Sequence, residues 1–287
     1  MHFTKPPLVW GWDAVWLDST EYNANTLQNT DGFLFLVEGS QDNFIPINTK
    51  AFYILHNCEK SKYSVIEENH KLVLQVFTND VFTRDIIRVK NNLYEYWQKS
   101  ENTLYMPWAT DILPNEIDEN IKNVKAGLIP KQHNRALFLG TIWDGIHGNI
   151  NEIKKFFIGC QQINLPFEVI RTTTMNQNES IEQHQRAIMT PTIVGTWQKE
   201  KGYIPCRIFK TISYGQLGVT NSKTAYEVVN KYGIYTEHEN ELPNMAMEKI
   251  NDVSLRIDAM RYVRDNHTYI NRIESIQYIF QQKNEIN

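Results

Sequence analysis

Cysteine is scarce in this chain: three residues in 287, Cys58, Cys160 and Cys206, far apart and odd in number. That spacing gives neither a disulfide framework nor a zinc motif, and it sets the expectation of a reducing, cytoplasmic setting. No Asp-x-Asp pair occurs and no His/Cys cluster has metal-ligand spacing, so no metal is expected. The roughly 18 consecutive apolar residues that a membrane span needs are not found. Pro6 and Pro7 and scattered polar residues follow Met1 where a signal peptide would be apolar. Basic excess is missing too: 29 Lys and Arg stand against 33 Asp and Glu, for a net charge of −4. Without a basic footprint, general nucleic-acid binding is excluded as the expected role. There is no repeat and no low-complexity tract.

What is present is ordinary for a folded α/β protein: 41% hydrophobic and 22% charged residues, with a length that suits two modest domains. The first half opens on an aromatic-rich stretch with Trp10, Trp12 and Trp16 around Asp13. A carboxylate among aromatics is a candidate acid or base, and equally a helix cap or surface residue. Continuous apolar runs follow from Gly32, Ala51, Lys71 and Thr103, which read as strands buried on both faces. They end in Glu38, in His56, in Asn79 and in Asp111. Ligands of parallel sheets bind outside the carboxyl ends of strands, so these four polar ends are candidates to face one cleft.

Residues 111 to 131 turn polar, with Pro114 and Pro130 bracketing the change. The stretch reads as a linker with a helical turn or two, between a first domain at 1–115 and a second at 131–264. The alternation then restarts. Arg135–Gly140 reads as a strand entering a Gly-bearing turn, Thr141-Ile-Trp143-Asp-Gly-Ile-His-Gly-Asn149, and the amphipathic segment from Glu152 to Gln162 follows. Strand, glycine turn and helix form the arrangement that cradles a phosphate with backbone N–H groups. Phe167–Thr173 reads as a strand, Ser180–Met189 as a helix, and Leu242–Gln282 is helical by period.

The most informative stretch runs from Ile193 to Ser222. IVGTW reads as a strand, EKGYIP as a loop, CRIFKTISYGQ as a helix start, and LGVTNS as a second strand. Arg207 and Lys210, three apart, share a helix face, and two cations at a helix start can clamp a diphosphate.

Three segments, 137–149, 193–222 and 266–272, carry a resemblance. Arg-Ile-Phe-Lys-x-Ile-Ser-Tyr-Gly followed by a short strand resembles the nucleotide-sugar segment of GT-B glycosyltransferases, and the groups it is most similar to are the exostosin-like and CgeB-like ones. FLGTIWDGIHGN resembles the first strand and loop of their donor domain, and His-Thr-Tyr-x-x-Arg, ending at Arg272, resembles the closing pattern of CgeB-like enzymes. The resemblance implies an α/β fold of two Rossmann-like domains facing a cleft, with the donor on the second domain, the acceptor on the first, and the helix at 265–287 packed back on the first. It implies a glycosyltransferase without cofactor or required metal, using a UDP- or GDP-linked sugar and a glycan or small acceptor. Lys210 stands where many retaining members carry Glu, which favours inversion and a phosphate-binding lysine. For the base that takes the acceptor proton, Glu38 and Asp13 are the candidates, with His56 behind them. For the donor they are Gly140, Thr141, Trp143, Thr196, Arg207, Lys210, Tyr214, Asn221 and Ser222. A nucleotide-sugar epimerase of the same fold and a non-catalytic sugar- or nucleotide-binding protein stay open as alternatives.

Overall fold

The structure is a computed structural model, and it describes residues 32–37, 50–58, 63–76, 86–89, 94–131, 133–171 and 175–285. Asp13, Glu38 and Asn79 lie outside the described residues. The chain forms two compact units. One takes the described residues up to Pro107 together with those from Arg272 on, and the other runs from Trp108 to Asn271. Both are α/β and Rossmann-like, each built around a set of parallel strands.

The first unit carries a six-stranded sheet. Its parallel part is β1 (Gly32–Val37), β2 (Ala51–His56), β3 (Lys71–Gln75) and β6 (Thr103–Tyr105). These are the four apolar runs read from the sequence. Two short antiparallel strands that the sequence does not announce, β4 (Ile86–Arg88) and β5 (Tyr96–Gln98), complete the order β1-β2-β3-β6-β5-β4. Strands of three residues are too short to show a period. Both faces of the sheet are covered. Leu34, Tyr53, Leu55 and Ile66 fill one side. On the other, Ile54, Leu72, Leu74, Trp97 and Leu104 meet Ile276, Ile279 and Phe280 of the last helix.

That helix is anchored by charge as well. Arg272 Nη1 lies 2.6 Å from Glu95 Oε1, with the two side chains 0% and 1% exposed. Arg272 Nε donates to the Pro107 carbonyl at 2.8 Å, and the Ser275 hydroxyl donates to Glu95 Oε2. At the far end Lys283 Nζ donates to the carbonyls of Glu68 and Lys71, 2.6 Å each.

The second unit begins with α1 (Pro114–Lys125). Here the structure differs from the reading of residues 111–131 as a linker: they carry a 12-residue helix. Pro114 starts it, the Leu113 N–H donates to Glu116 Oε2 at 2.6 Å, and Ile117, Ile121 and Val124 turn inward at helical spacing. The polar composition belongs to the solvent side of an amphipathic helix. The unit then runs β7 (His133–Leu139), α2 (Ile150–Gln162), β8 (Phe167–Ile170), α3 (Gln177–Arg186), β9 (Ala187–Met189), α4 (Thr196–Glu200), α5 (Arg207–Ser213), β10 (Val219–Thr220), α6 (Lys223–Val228), β11 (Ile234–Tyr235), α7 (Leu242–Lys249) and α8 (Val253–Asn266). The last helix, α9 (Tyr269–Glu285), leads from the second unit into the first. So the helical tail is three helices, broken where Asp252 caps α8 and where the Thr268 N–H and hydroxyl bond to Asn271 Oδ1.

Strands β8, β7 and β9 pair in parallel, as do β10 and β11. A parallel bridge between Thr192 and Thr220 joins the two sets, reinforced by the Thr192 N–H to the Val219 carbonyl at 2.7 Å. The order is therefore β8-β7-β9-β10-β11, a doubly wound arrangement whose direction reverses between β7 and β9. IVGTW is not the strand expected. The strand lies earlier, at Ala187–Met189, and Thr196 already starts α4. The extended appearance of Ile193 and Val194 has a local cause. The side-chain amide of Asn221 takes the place of a neighbouring strand, accepting from the Val194 N–H at 3.0 Å and donating to its carbonyl at 2.9 Å.

Replacing Arg272 by methionine leaves Glu95 charged and buried without its partner. By the usual cost of such an orphan, about 3–5 kcal/mol, urea unfolding should show a clearly lowered midpoint. An unchanged midpoint contradicts the anchoring role of the pair.

Candidate functional site at the carboxyl end of the second sheet

Open α/β sheets bind ligands where the strand order reverses, outside the carboxyl ends of the strands. Here that place is the end of β7 and the chain that follows β9. Leu139 leads into Gly140, whose φ is +152°. A Cβ on Gly140 would lie 2.1 Å from Nη2 of Arg207, so the guanidinium occupies the space a side chain would need. It also lies over the Phe138 ring, 4.2 Å from the centroid. Arg207 is half-buried. Among the described residues no carboxylate pairs with it and no hydrogen bond to its side chain is found. Burial pulls its pKa below the ordinary arginine value, with Cys206 and Tyr203 acting the other way.

Lys210, three residues on, is differently placed. Its Nζ lies 2.9 Å from Asp111 Oδ2, and the two side chains are 18% and 12% exposed. The Tyr214 hydroxyl donates to the other oxygen, Asp111 Oδ1. Burial disfavours the charge of Lys210, but Cys206 and Asp111 outweigh it and its pKa is raised. Tyr214 is raised well above the usual phenol range, by burial first and then by Asp111. The sequence pairs Arg207 and Lys210 as equal cations. The structure pairs Lys210 with a carboxylate and leaves Arg207 without one.

The loop after β7 closes over itself. Asn149 Oδ1 accepts from the Trp143 N–H at 3.1 Å, and the Trp143 carbonyl accepts from the N–H groups of Asn149 and Ile150 at 3.0 and 3.1 Å. Thr141 is half-buried, while the indole of Trp143 stands 63% exposed. The loop touches the chain after β9: a Cβ on Gly195 would meet the Gly148 carbonyl at 1.9 Å, and the His147 and Trp197 rings meet edge-on at 4.4 Å. Thr196 binds Glu152 Oε1 through its N–H at 3.2 Å and its hydroxyl at 2.9 Å. Glu152, buried in the first turn of α2, is a residue the sequence reading passed over. Its position one turn into the helix after the glycine loop is the signal that could have found it.

The other expected donor residues are interior. Tyr214, Asn221 and Ser222 are 0%, 0% and 1% exposed. Besides holding Val194, the Asn221 amide donates to Glu239 Oε1 at 2.9 Å, and Ser222 Oγ caps α6 at the Ala225 N–H, 3.2 Å. Their polar atoms are taken up within the protein, so they brace the end of the sheet from behind. Gly140 touches Arg207, Thr141 is half-buried, and Trp143 and Thr196 are exposed. His56, in the first unit, is buried with Nδ1 3.2 Å from the Leu74 carbonyl.

One more residue, packed against buried Tyr214, was not foreseen. His184, near the end of α3, is 2% exposed. Its Nδ1–H donates to the Ser180 carbonyl at 2.7 Å, and its ring meets Tyr214 edge-on at 5.0 Å. Burial depresses its pKa to about 4; Arg207 and Lys210 push the same way, while the Ser180 bond and Asp111 oppose. Nε2 is buried and has no partner among the described residues.

Among the described residues no group of three or more His, Cys, Asp or Glu could hold a metal ion, and no helix is long and apolar enough to cross a membrane. No protein-family model and no curated protein matches the chain. Eight solved chains match in structure, one of them described as the OtsA apo structure. That one has a TM-score of 0.47 and 9% identity, over 89% of this chain and 74% of the other. A likeness at that distance bears on neither activity nor substrate.

The depressed pKa of His184 sets a pH dependence. The folded ring stays neutral down to about pH 4, whereas the unfolded one takes up a proton near its ordinary value of about 6.5. The unfolded state therefore binds more protons in that window, and stability falls as the pH drops through it. The difference is on the order of 3 kcal/mol. Urea unfolding of His184→Phe should lack this loss between pH 6.5 and 4, while the natural protein shows it. Parallel curves would show that His184 titrates normally.

Proposed function

We propose that this protein is a glycosyltransferase of the GT-B kind that binds a nucleotide diphosphate-sugar at the carboxyl end of the second sheet and transfers the sugar, with inversion and without a metal, to a hydroxyl of a glycan or small acceptor. The observation that carries the reading is the guanidinium of Arg207, held half out of water over Phe138 and Gly140 with no carboxylate beside it. A charge so placed is unfavourable until an anion joins it. Arginine's planar fork suits two phosphate oxygens. The glycine turn beside it admits a ligand close to the backbone, as phosphate-binding turns of doubly wound sheets do.

In the transfer, the acceptor oxygen attacks the anomeric carbon, a general base takes its proton, and the bond to the diphosphate breaks. Negative charge grows on the leaving diphosphate, and Arg207 offsets it. Lys210 is tied to Asp111, which offsets its charge, so this role falls to Arg207. Glu152 and Thr196 flank the same opening and offer a carboxylate and a hydroxyl to ligand hydroxyls. For the base, the carboxylates Glu38 and Asp13 remain the proposal, ahead of His56, whose Nδ1 is already engaged.

Thermal-shift titration with UDP, GDP and their sugars tests this. At about 100 times its Kd the right nucleotide should add about 2.7 kcal/mol to the folded state, unchanged by EDTA. Arg207→Ala should abolish the shift. Gly140→Ala, whose Cβ displaces the guanidinium, should weaken binding about tenfold or more, equivalent to about 1.4 kcal/mol, with the fold retained. Equal binding in the natural protein and Arg207→Ala contradicts the site. The absence of any nucleotide effect contradicts the function.

A further inference from the structure

Glu152 is a nearly buried carboxylate with one oxygen engaged and the other open. The residue is 7% exposed. It stands in the first turn of α2, where a carboxylate ordinarily turns back to cap its own helix. Instead it reaches out of the helix: Oε1 accepts the Thr196 N–H at 3.2 Å and the Thr196 hydroxyl at 2.9 Å. Oε2 accepts nothing from the described residues, and it is not sealed from solvent. Among the described residues no cation pairs with this carboxylate. Lys155 and Lys199, one turn along α2 and α4, are both turned to Glu239. A carboxylate so far withdrawn from water, with an oxygen left unbonded, calls for a donor.

The place is that of a ligand contact. Helix α2 follows the glycine loop that leaves β7, and Thr196 begins α4 after the chain that leaves β9. Strands β7 and β9 are parallel neighbours, so both segments leave the same edge of the sheet. The Thr196–Glu152 bond spans them beside the close approach of Gly195 to Gly148. This is the point where the strand order reverses, at the carboxyl ends, where open α/β sheets bind ligands. The same loop starts at Gly140, against the guanidinium of Arg207. The two charges ask for opposite partners. The guanidinium takes phosphate oxygens; the carboxylate repels them and accepts from hydroxyls.

We propose that Glu152 Oε2 is the polyol contact of this site: it accepts a hydrogen bond from a hydroxyl of the nucleotide-sugar whose diphosphate Arg207 holds, and so fixes the direction in which the ligand lies along the loop. The inference rests on the donor reading above. The hydroxyl belongs to the ribose or to the transferred sugar, the two polyols that flank a diphosphate. A site that hydrogen-bonds a hydroxyl discriminates against ligands that lack it, and the charge of the carboxylate works against an acidic group in the same position, so Glu152 sets specificity.

The test is calorimetric titration of the full chain with UDP, GDP, UDP-glucose, GDP-mannose and inorganic pyrophosphate, for the natural protein, Glu152→Gln and Arg207→Ala. Glutamine keeps the length of the side chain and a carbonyl oxygen for Thr196, so the fold is retained and the charge alone is lost. In Glu152→Gln the affinity for the nucleotide or its sugar conjugate should fall about tenfold, the size of one hydrogen bond to a charged group, while pyrophosphate affinity does not fall. Loss already seen with UDP or GDP assigns the hydroxyl to ribose; loss seen only with the sugar conjugates assigns it to the sugar. Nucleotide and conjugate affinities in Glu152→Gln equal to the natural ones, with binding still lost in Arg207→Ala, overturn the contact alone and leave Glu152 as a brace for the start of α4. An equal loss for pyrophosphate in Glu152→Gln also overturns it, because it marks a disturbance of the whole loop. A natural protein that binds no nucleotide removes the donor reading and this contact together.

Discussion

A single guanidinium, held half out of water without a counter-charge, is the constraint around which the second unit is arranged. A cation in such a place is unfavourable unless neighbouring groups compensate. Phe138 supplies part, since a cation over an aromatic face gains about 0.5–2 kcal/mol. Gly140 supplies room, because any side chain there would overlap the guanidinium. Nothing described in the protein supplies the negative charge. That imbalance is what separates a binding arginine from a structural one. Arg272 and Arg256 show the contrast. Arg272 is wholly buried against Glu95, and Arg256 gives its donors to the carbonyls of Gly215 and Ile129. Both have protein partners; Arg207 is left for a ligand.

The surrounding structure keeps that imbalance in place. Helix α5 puts Arg207 and Lys210 on one face, and Asp111, arriving from a distant part of the chain, neutralises the second. Behind the opening, Asn221 acts as a substitute strand for Val194, and Glu239 holds Asn221 in turn. Glu239 also meets Lys199 at 3.2 Å and Lys155 at 3.6 Å. The carboxylate is 3% exposed and its pKa is lowered, since these partners outweigh its burial. The polar residues after β10 thus fix the backbone that faces Gly148 and Gly195.

Much of this frame was legible in the sequence. The runs at 32–37, 51–55, 72–74 and 136–139 are continuous and apolar because those stretches are covered by the rest of the fold, and that pattern cannot easily mean anything else. The helix at Arg207 and the glycine turn at 140 were legible for similar reasons. What escaped had physical causes. The three-residue strands β4 and β5 show no period. Residues 114–125 read as linker because an amphipathic helix on a surface is mostly polar by count. Ile193 and Val194 read as strand because both are apolar and β-branched, yet the partner of the Val194 backbone is the Asn221 side chain, which no local pattern encodes.

The division of labour between Arg207 and Lys210 marks the limit of reading a site from spacing. On a helix the two are equivalent, one turn apart on one face. They become different only when Asp111, 99 positions before Lys210, reaches one and not the other. The same contact decides what Tyr214 can do, because its hydroxyl is drawn to Asp111 and is lost to any ligand. One aspartate thus removes two expected ligand contacts.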